Sequence, residues 1–184
     1  MNTAPSLCSR ASNTSLPPGS CSPESMPGSF RVESPSTPDH YRACFRLRWQ
    51  LLRAPWQQPP GSEQDAHETA AWHRMVLDAH GEVVGYGRLH REQDGTGRIR
   101  YMCVMPQWRG RGVGAALLES LEKAARDQGM TRILLDARAP VIGFYLRHGY
   151  RDLGPGPLLF GVIAHRRMEK RLDRKCARRR PAPD

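Results

Sequence analysis

Residues 99–114 read IRYMCVMPQWRGRGVG, an apolar run followed by a glycine-rich turn. Tyr101, Met102, Cys103, Val104 and Met105 form an apolar run of strand length. Pro106 has no N–H to give to a ladder and ends the run. Arg109-Gly110-Arg111-Gly112-Val113-Gly114 follows and leads into a long amphipathic segment. A strand, a glycine-rich turn and a helix N-terminus together make an anion site. The turn presents backbone N–H groups, and the helix dipole adds partial positive charge at the same place. Glycine lets an anion approach the backbone and permits positive φ. The two arginines suit phosphate oxygens. On its residues alone, the stretch is a site for a pyrophosphate or polyphosphate group.

The spacing Arg109-x-x-Gly112-x-Gly114, after a strand ending Val104-Met105-Pro106, resembles the acetyl-CoA-binding motif of the GNAT N-acetyltransferase superfamily. About 30 residues on, Gly143-Phe144-Tyr145-Leu146-Arg147-His148-Gly149-Tyr150 resembles that superfamily's second signature. The resemblance runs from about Pro38 to Leu172. It implies an acetyl-CoA-dependent N-acetyltransferase acting on a primary amine, of a small molecule or a protein, by direct attack and without a covalent enzyme intermediate. No G-x-S-x-G nucleophile motif is present. The resemblance also implies that Arg109, Gly110, Arg111, Gly112, Val113 and Gly114 hold the pyrophosphate. Cys103, Val104 and Met105 would line the cofactor, Cys103 and Met105 bonding the pantetheine arm through main-chain groups. Tyr145 would protonate the leaving thiolate, a phenol of pKa near 10 being matched to a thiol of about 8.5. One departure is visible: where members often carry an asparagine that contacts pantetheine, this chain has Ala137-Arg138-Ala139-Pro140.

Two other readings compete. Gly110-x-Gly112-x-x-Ala115 also fits the dinucleotide fingerprint, with Asp136 placed for a ribose and Arg138 for a 2′-phosphate, which would make the chain an NADP-binding protein. Against it, Pro106-Gln107-Trp108-Arg109 separates the glycines from the strand, and too little sequence follows Asp136 for a doubly wound sheet. The other reading is a GNAT-like module that binds acyl-CoA without turnover, for which the Tyr145 hydroxyl is unnecessary.

The periodicity of the flanking segments predicts an α+β fold: a mixed sheet with antiparallel N-terminal strands, then a central parallel βαβ pair, as in the GNAT acyl-CoA N-acyltransferase fold. Residues 1–36 are dense in Ser and Pro and read as a disordered tail. Thr37 as N-cap with Pro38 behind it starts a helix over 39–53, carrying Tyr41, Cys44, Phe45, Trp49 and Leu52 at helical spacing. A polar loop over 56–71 holds Glu63, Asp65, His67 and Glu68, where the resemblance places the acceptor side. Strands are expected over 72–78, 83–89 and 98–105, a helix over 112–128 closed by Gly129, and a buried strand over 131–137. A short helix over 139–148, a strand over 150–153, a loop over 154–157 and final strands over 158–160 and 163–168 complete a domain spanning 37–172. Residues 173–184 form a basic tail. For the base that deprotonates the amine, Glu63, Asp65, His67, His73 and Asp136 are all candidates. His73 reads as a structural histidine and His165 as a structural or acceptor-side one.

The net charge of +10 favours anionic ligands, CoA among them. Arg174, Lys175, Arg178, Arg179 and Arg180 crowd the tail, which by itself argues weakly for nucleic acid. The cysteines, Cys8, Cys21, Cys44, Cys103 and Cys176, are odd in number and show no C-x-x-C spacing, so neither a disulfide framework nor a metal site is expected. With no span of about 20 apolar residues and no signal-peptide pattern, a cytoplasmic protein is expected. A homodimer is left open.

Overall fold

The computed structural model describes residues 28–172. Seven strands form one sheet in the order β1-β2-β3-β4-β5-β7-β6: Phe30–Glu33, Trp72–Asp78, Val83–Arg91, Thr96–Val104, Arg132–Arg138, Arg151–Leu159 and Ile163–Arg171 for β1 to β7 in chain order. Three helices, α1 (Pro38–Leu52), α2 (Val113–Asp127) and α3 (Ile142–Arg147), complete it. Every strand pair is antiparallel except β4–β5. This is the expected mixed α+β sheet, not the doubly wound parallel sheet of the dinucleotide reading.

Two stretches differ from the expectation. Phe30–Glu33 lie inside the segment read as disordered, yet pair with β2 as an edge strand. Phe30 and Val32 alternate with charged residues and turn one face onto the main core. The rest of that segment up to residue 27, and the basic tail from residue 173, lie outside the described residues. The second difference is Gly154-Pro155-Gly156-Pro157, expected as a loop. It runs inside β6, with the register against β7 shifting on both sides of it. Proline is tolerated there because β6 is an edge strand and the missing N–H would face outward.

The sheet is covered on both faces. Beneath α2, the residues Val113, Leu117, Leu118, Leu121, Ala124 and Ala125 pack on Val76, Leu89, Ile133, Leu135 and Met168. Gly87 makes this close approach feasible, since a Cβ there would sit 2.8 Å from Leu121 Cδ1. On the other face, Cys44 and Leu47 of α1 pack on Met75, Leu77, Tyr86 and Cys103. Thr37 Oγ1 accepts the His40 N–H at 3.2 Å and fixes the start of α1. No helix among the described residues is long and apolar enough to cross a membrane.

Candidate active site

β4 and β5 pair only at Thr96–Arg132, Gly97–Ile133 and Arg98–Leu134. Beyond Arg98 the parallel strands separate, while β4 continues to Val104 and β5 to Arg138. A wedge therefore opens at the carboxyl ends of the parallel pair, with unpaired backbone on its walls. The β4 wall is bent. Tyr101 has φ of 59°, unusual for a non-glycine, and the β3–β4 register shifts between Tyr86 and Arg88. That combination is a β-bulge, which re-aims side chains and ends regular pairing.

The register past the bulge decides which main-chain groups face the wedge. The Met105 N–H donates to Val84 O at 2.9 Å, and Cys103 stands opposite Tyr86. Antiparallel residues alternate between groups turned to the partner and groups turned away. Cys103 and Met105 thus spend their main chain on β3, and Val104 turns its own into the wedge. The expectation placed the Cys103 and Met105 main chains in the wedge; the register instead turns them to β3 and leaves that of Val104 facing it. Val104 O accepts Arg109 Nε at 3.2 Å, which folds that side chain back over the strand end.

The glycine turn sits at the mouth of the wedge. Gly110 and Gly112 have φ of 75° and 81°, and a Cβ on either would meet open space. Backbone conformation is what demands glycine there. Gly112 is the N-cap of α2 and brings no side chain to the first-turn N–H groups, so the helix start is free to accept an anion. Arg111 lies over the Trp108 ring at 5.5 Å. Gly114 faces the Phe144 ring of α3, where a Cβ would fall at 3.6 Å, an ordinary contact that packing does not forbid. Val113 is fully buried under the helix.

Tyr145 stands on α3 beside the wedge. It is 7% exposed, and its hydroxyl donates to Met102 Sδ at 3.5 Å, a weak partner. Burial raises the phenol well above its ordinary pKa, with Cys103 adding a smaller push. The Cys103 thiol nearby is itself pushed up to about 12, again chiefly by burial.

The base candidates are mostly committed elsewhere. His73 uses both ring nitrogens, Nδ1 to the Tyr86 hydroxyl at 2.6 Å and Nε2 to Glu68 O at 2.8 Å, and burial lowers its pKa. Asp136 is bound by Arg98 at 3.1 Å and Arg167 at 3.2 Å. Buried Glu63 accepts the Gly61 N–H at 2.8 Å. His67 stacks on His90 at 4.4 Å, away from the wedge. His165 is placed differently. It stands opposite Arg138, the last residue of β5, and paired residues share a face. Its Nδ1 lies 2.9 Å from Ile163 O; a carbonyl only accepts, so Nδ1 is the donor, and Nε2 makes no hydrogen bond among the described residues.

Under the wedge, on the α1 face, lies a charged network that the sequence analysis missed. Arg48 and Arg88 are fully buried. Arg88 binds Asp65 at 2.7 and 2.8 Å and Glu68 at 2.7 Å. Arg48 binds Glu68 at 2.9 and 3.0 Å, donates to Glu63 O, and lies 3.9 Å from the Tyr101 ring centre. Tyr101 then donates to Asp65 Oδ2 at 2.9 Å. The network ties the loop between α1 and β2 to the bulge. Burial alone would raise the Asp65 carboxyl, but hydrogen bonds from Arg88, the His67 N–H and Tyr101 outweigh it and hold the group well below the usual carboxylate range. That disqualifies Asp65 as a base. The sequence did carry a sign: Tyr86, Arg88 and His90 recur at period two on a strand whose opposite face is Gly85, Gly87 and Leu89.

Removing Arg88 leaves two partly buried carboxylates without their shared partner. Arg88→Met is expected to lower stability by about 3–5 kcal/mol, read from the urea midpoint at constant slope.

His90 sets a pH dependence in the same region. Burial, with Arg88 and His67 adding to it, lowers its pKa to about 4. A depressed base must be charged against the fold as pH falls, so stability is intact above the unfolded value of about 6.5 and declines below it. The loss is expected to reach on the order of 2–3 kcal/mol near pH 4. Denaturant titrations at several pH values should show His90→Gln losing most of that decline between pH 6.5 and 4.5, with the Asp65 contribution lost only below about pH 4.

A concavity of about 410 Å³ near His67, His90, Thr96 and Arg132 lies at the start of β4 and β5. At about 3.3 Å per residue, that is roughly 25 Å from the glycine turn. Among the described residues, no three His, Cys, Asp or Glu side chains are grouped to hold a metal.

Comparison with known proteins agrees with this geometry. The model of the acetyltransferase (GNAT) family matches residues 41–150. The uncharacterized N-acetyltransferase YjcF of Bacillus subtilis is 33% identical over 132 residues, covering 72% of this chain and 93% of that protein. An acyl-CoA N-acyltransferase from Pseudomonas aeruginosa shares the fold with a TM-score of 0.65 at 23% identity, over 77% of this chain and 98% of that one. An aminoglycoside 6′-N-acetyltransferase solved with coenzyme A gives 0.67 at 15% identity, over 84% and 99%.

Proposed function

This chain belongs to the GNAT acetyltransferase family, and from that premise we propose that it transfers the acetyl group of acetyl-CoA to a primary amine by direct attack. The observation that carries the reading is the wedge between β4 and β5 with the glycine turn at its mouth. A pyrophosphate fits the free helix start and the positive-φ glycines, which bring no side chain to the turn. Arg109 and Arg111 flank it. Met102 and Val104 line the wedge, where the Val104 main chain can bond an extended amide arm.

Acetyl-CoA supplies an activated acyl thioester. Binding it in the wedge converts a bimolecular encounter into a positioned one. His165 Nε2 is free to take the proton that the attacking amine must lose. Tyr145 holds its proton at all working pH values and delivers it to the departing sulfur. The amine's new N–C bond replaces the C–S bond, and free thiol leaves. No side chain of this protein forms a covalent bond in the sequence.

The test is thiol release from acetyl-CoA over a panel of primary amines, with acetylated amine measured by mass spectrometry in equal amount. Stoichiometric thiol and N-acetyl product support transfer. Tight acetyl-CoA binding without product from any amine points to a non-catalytic acyl-CoA-binding module.

A further inference from the structure

Two arginines converge on the α1 face of the wedge with no counter-charge. Arg53 caps the C-terminus of α1, and Arg138 ends β5. Arg53 Nη1 and Arg138 Nη2 both approach the same carbonyl, Leu52 O, at 3.4 and 3.5 Å. The two cationic heads are therefore no further apart than those contacts allow. Arg53 is buried and Arg138 half-buried; among the described residues neither lies within salt-bridge distance of a carboxylate, whereas the buried arginines Arg48, Arg88 and Arg98 each have one. Arg53 is 7% exposed, and its Nη2 has no acceptor among the described residues.

A guanidinium cannot escape burial by losing its proton, so an unneutralised pair carries a standing cost. Aromatic faces offset part of it: Tyr101 and Phe160 lie 5.4 and 5.2 Å from Arg53, and Trp56 lies 5.8 Å from Arg138. Burial, and after it the neighbouring Arg53 charge, lowers the Arg138 pKa, as expected of two like charges pressed together.

Resting on the transferase reading above, we propose that Arg53 and Arg138 form an anion-binding subsite for the acceptor, so that the substrate is a small amine carrying a carboxylate or a phosphate group. Arg138 leaves the wall of the wedge where the strands are farthest apart, and His165 stands beside it. An acceptor anchored there by its anion presents its amine toward the wedge. Paired guanidinium forks match either oxyanion in bidentate fashion. Tyr101, Phe160 and Trp56 provide apolar walls for the carbon skeleton between anion and amine.

The experiment uses the whole protein saturated with CoA and titrates acceptors in matched pairs by calorimetry. The twenty α-amino acids are compared with their amides, and glucosamine 6-phosphate with glucosamine. Turnover with acetyl-CoA is followed in parallel. At least one anionic member is expected to bind, with its neutral partner about 10- to 100-fold weaker. Arg138→Gln should erase that difference and leave acetyl-CoA affinity and thermal stability unchanged, while Arg138→Lys recovers part of it. Binding by amino acids and not by the sugar phosphate assigns a carboxylate; the reverse assigns a phosphate. The inference is overturned if no anionic member binds at millimolar concentration, if neutral amines bind equally well, or if Arg138→Gln weakens acetyl-CoA instead of the acceptor. Anion-selective binding without any turnover sinks the transferase reading and leaves the subsite standing. Turnover of neutral amines indifferent to Arg138 does the opposite.

Discussion

Gly112→Glu is expected to weaken acetyl-CoA binding at least 100-fold in equilibrium dialysis while the protein stays folded. Gly112 has φ of 81° and open space where a side chain would project. A glutamate there costs about 1–2 kcal/mol for the left-handed backbone, and it sets a carboxylate at the helix start where a pyrophosphate would lie. Gly112→Ala separates the two effects. It carries the same backbone penalty without the charge, so its affinity should fall less than about tenfold. Equal losses from both variants would mean that turn conformation matters and the anion does not.

The second large effect is expected at Tyr145. Tyr145→Phe should lower kcat by about 10²- to 10⁴-fold, with KM for acetyl-CoA within a few-fold of the parent. The hydroxyl meets only Met102 Sδ at 3.5 Å, so its removal breaks no strong hydrogen bond in the resting protein. The melting temperature should therefore hardly move. A packing role predicts an unchanged kcat as well, because the ring, which meets Phe144 and Tyr150 edge-on, is retained in phenylalanine. Unchanged kcat in this variant would remove Tyr145 from the chemistry.

The glycine turn and the second signature around Tyr145 were legible because each depends on local sequence. A glycine with positive φ, a proline after a strand and an amphipathic helix leave marks within a few residues. Register leaves none. Whether Cys103 or Val104 turns its main chain into the wedge depends on one inserted residue at the Tyr101 bulge and on how β4 meets β3. No periodicity in 99–105 reports that. The Arg53–Arg138 pair was hidden for a related reason. The two residues are far apart in sequence, and only the closure of α1 onto the end of β5 brings them to one carbonyl. Segment β1 escaped because four residues in a Ser- and Pro-rich surrounding carry too short a pattern, and β6 because Gly and Pro usually punctuate loops.

The most direct test of the account is calorimetric titration of the unmodified protein with acetyl-CoA and, separately, with NADP. Micromolar acetyl-CoA binding at one site per chain, with no heat from NADP, is the predicted result. Absence of acetyl-CoA binding, or NADP binding in its place, would contradict it.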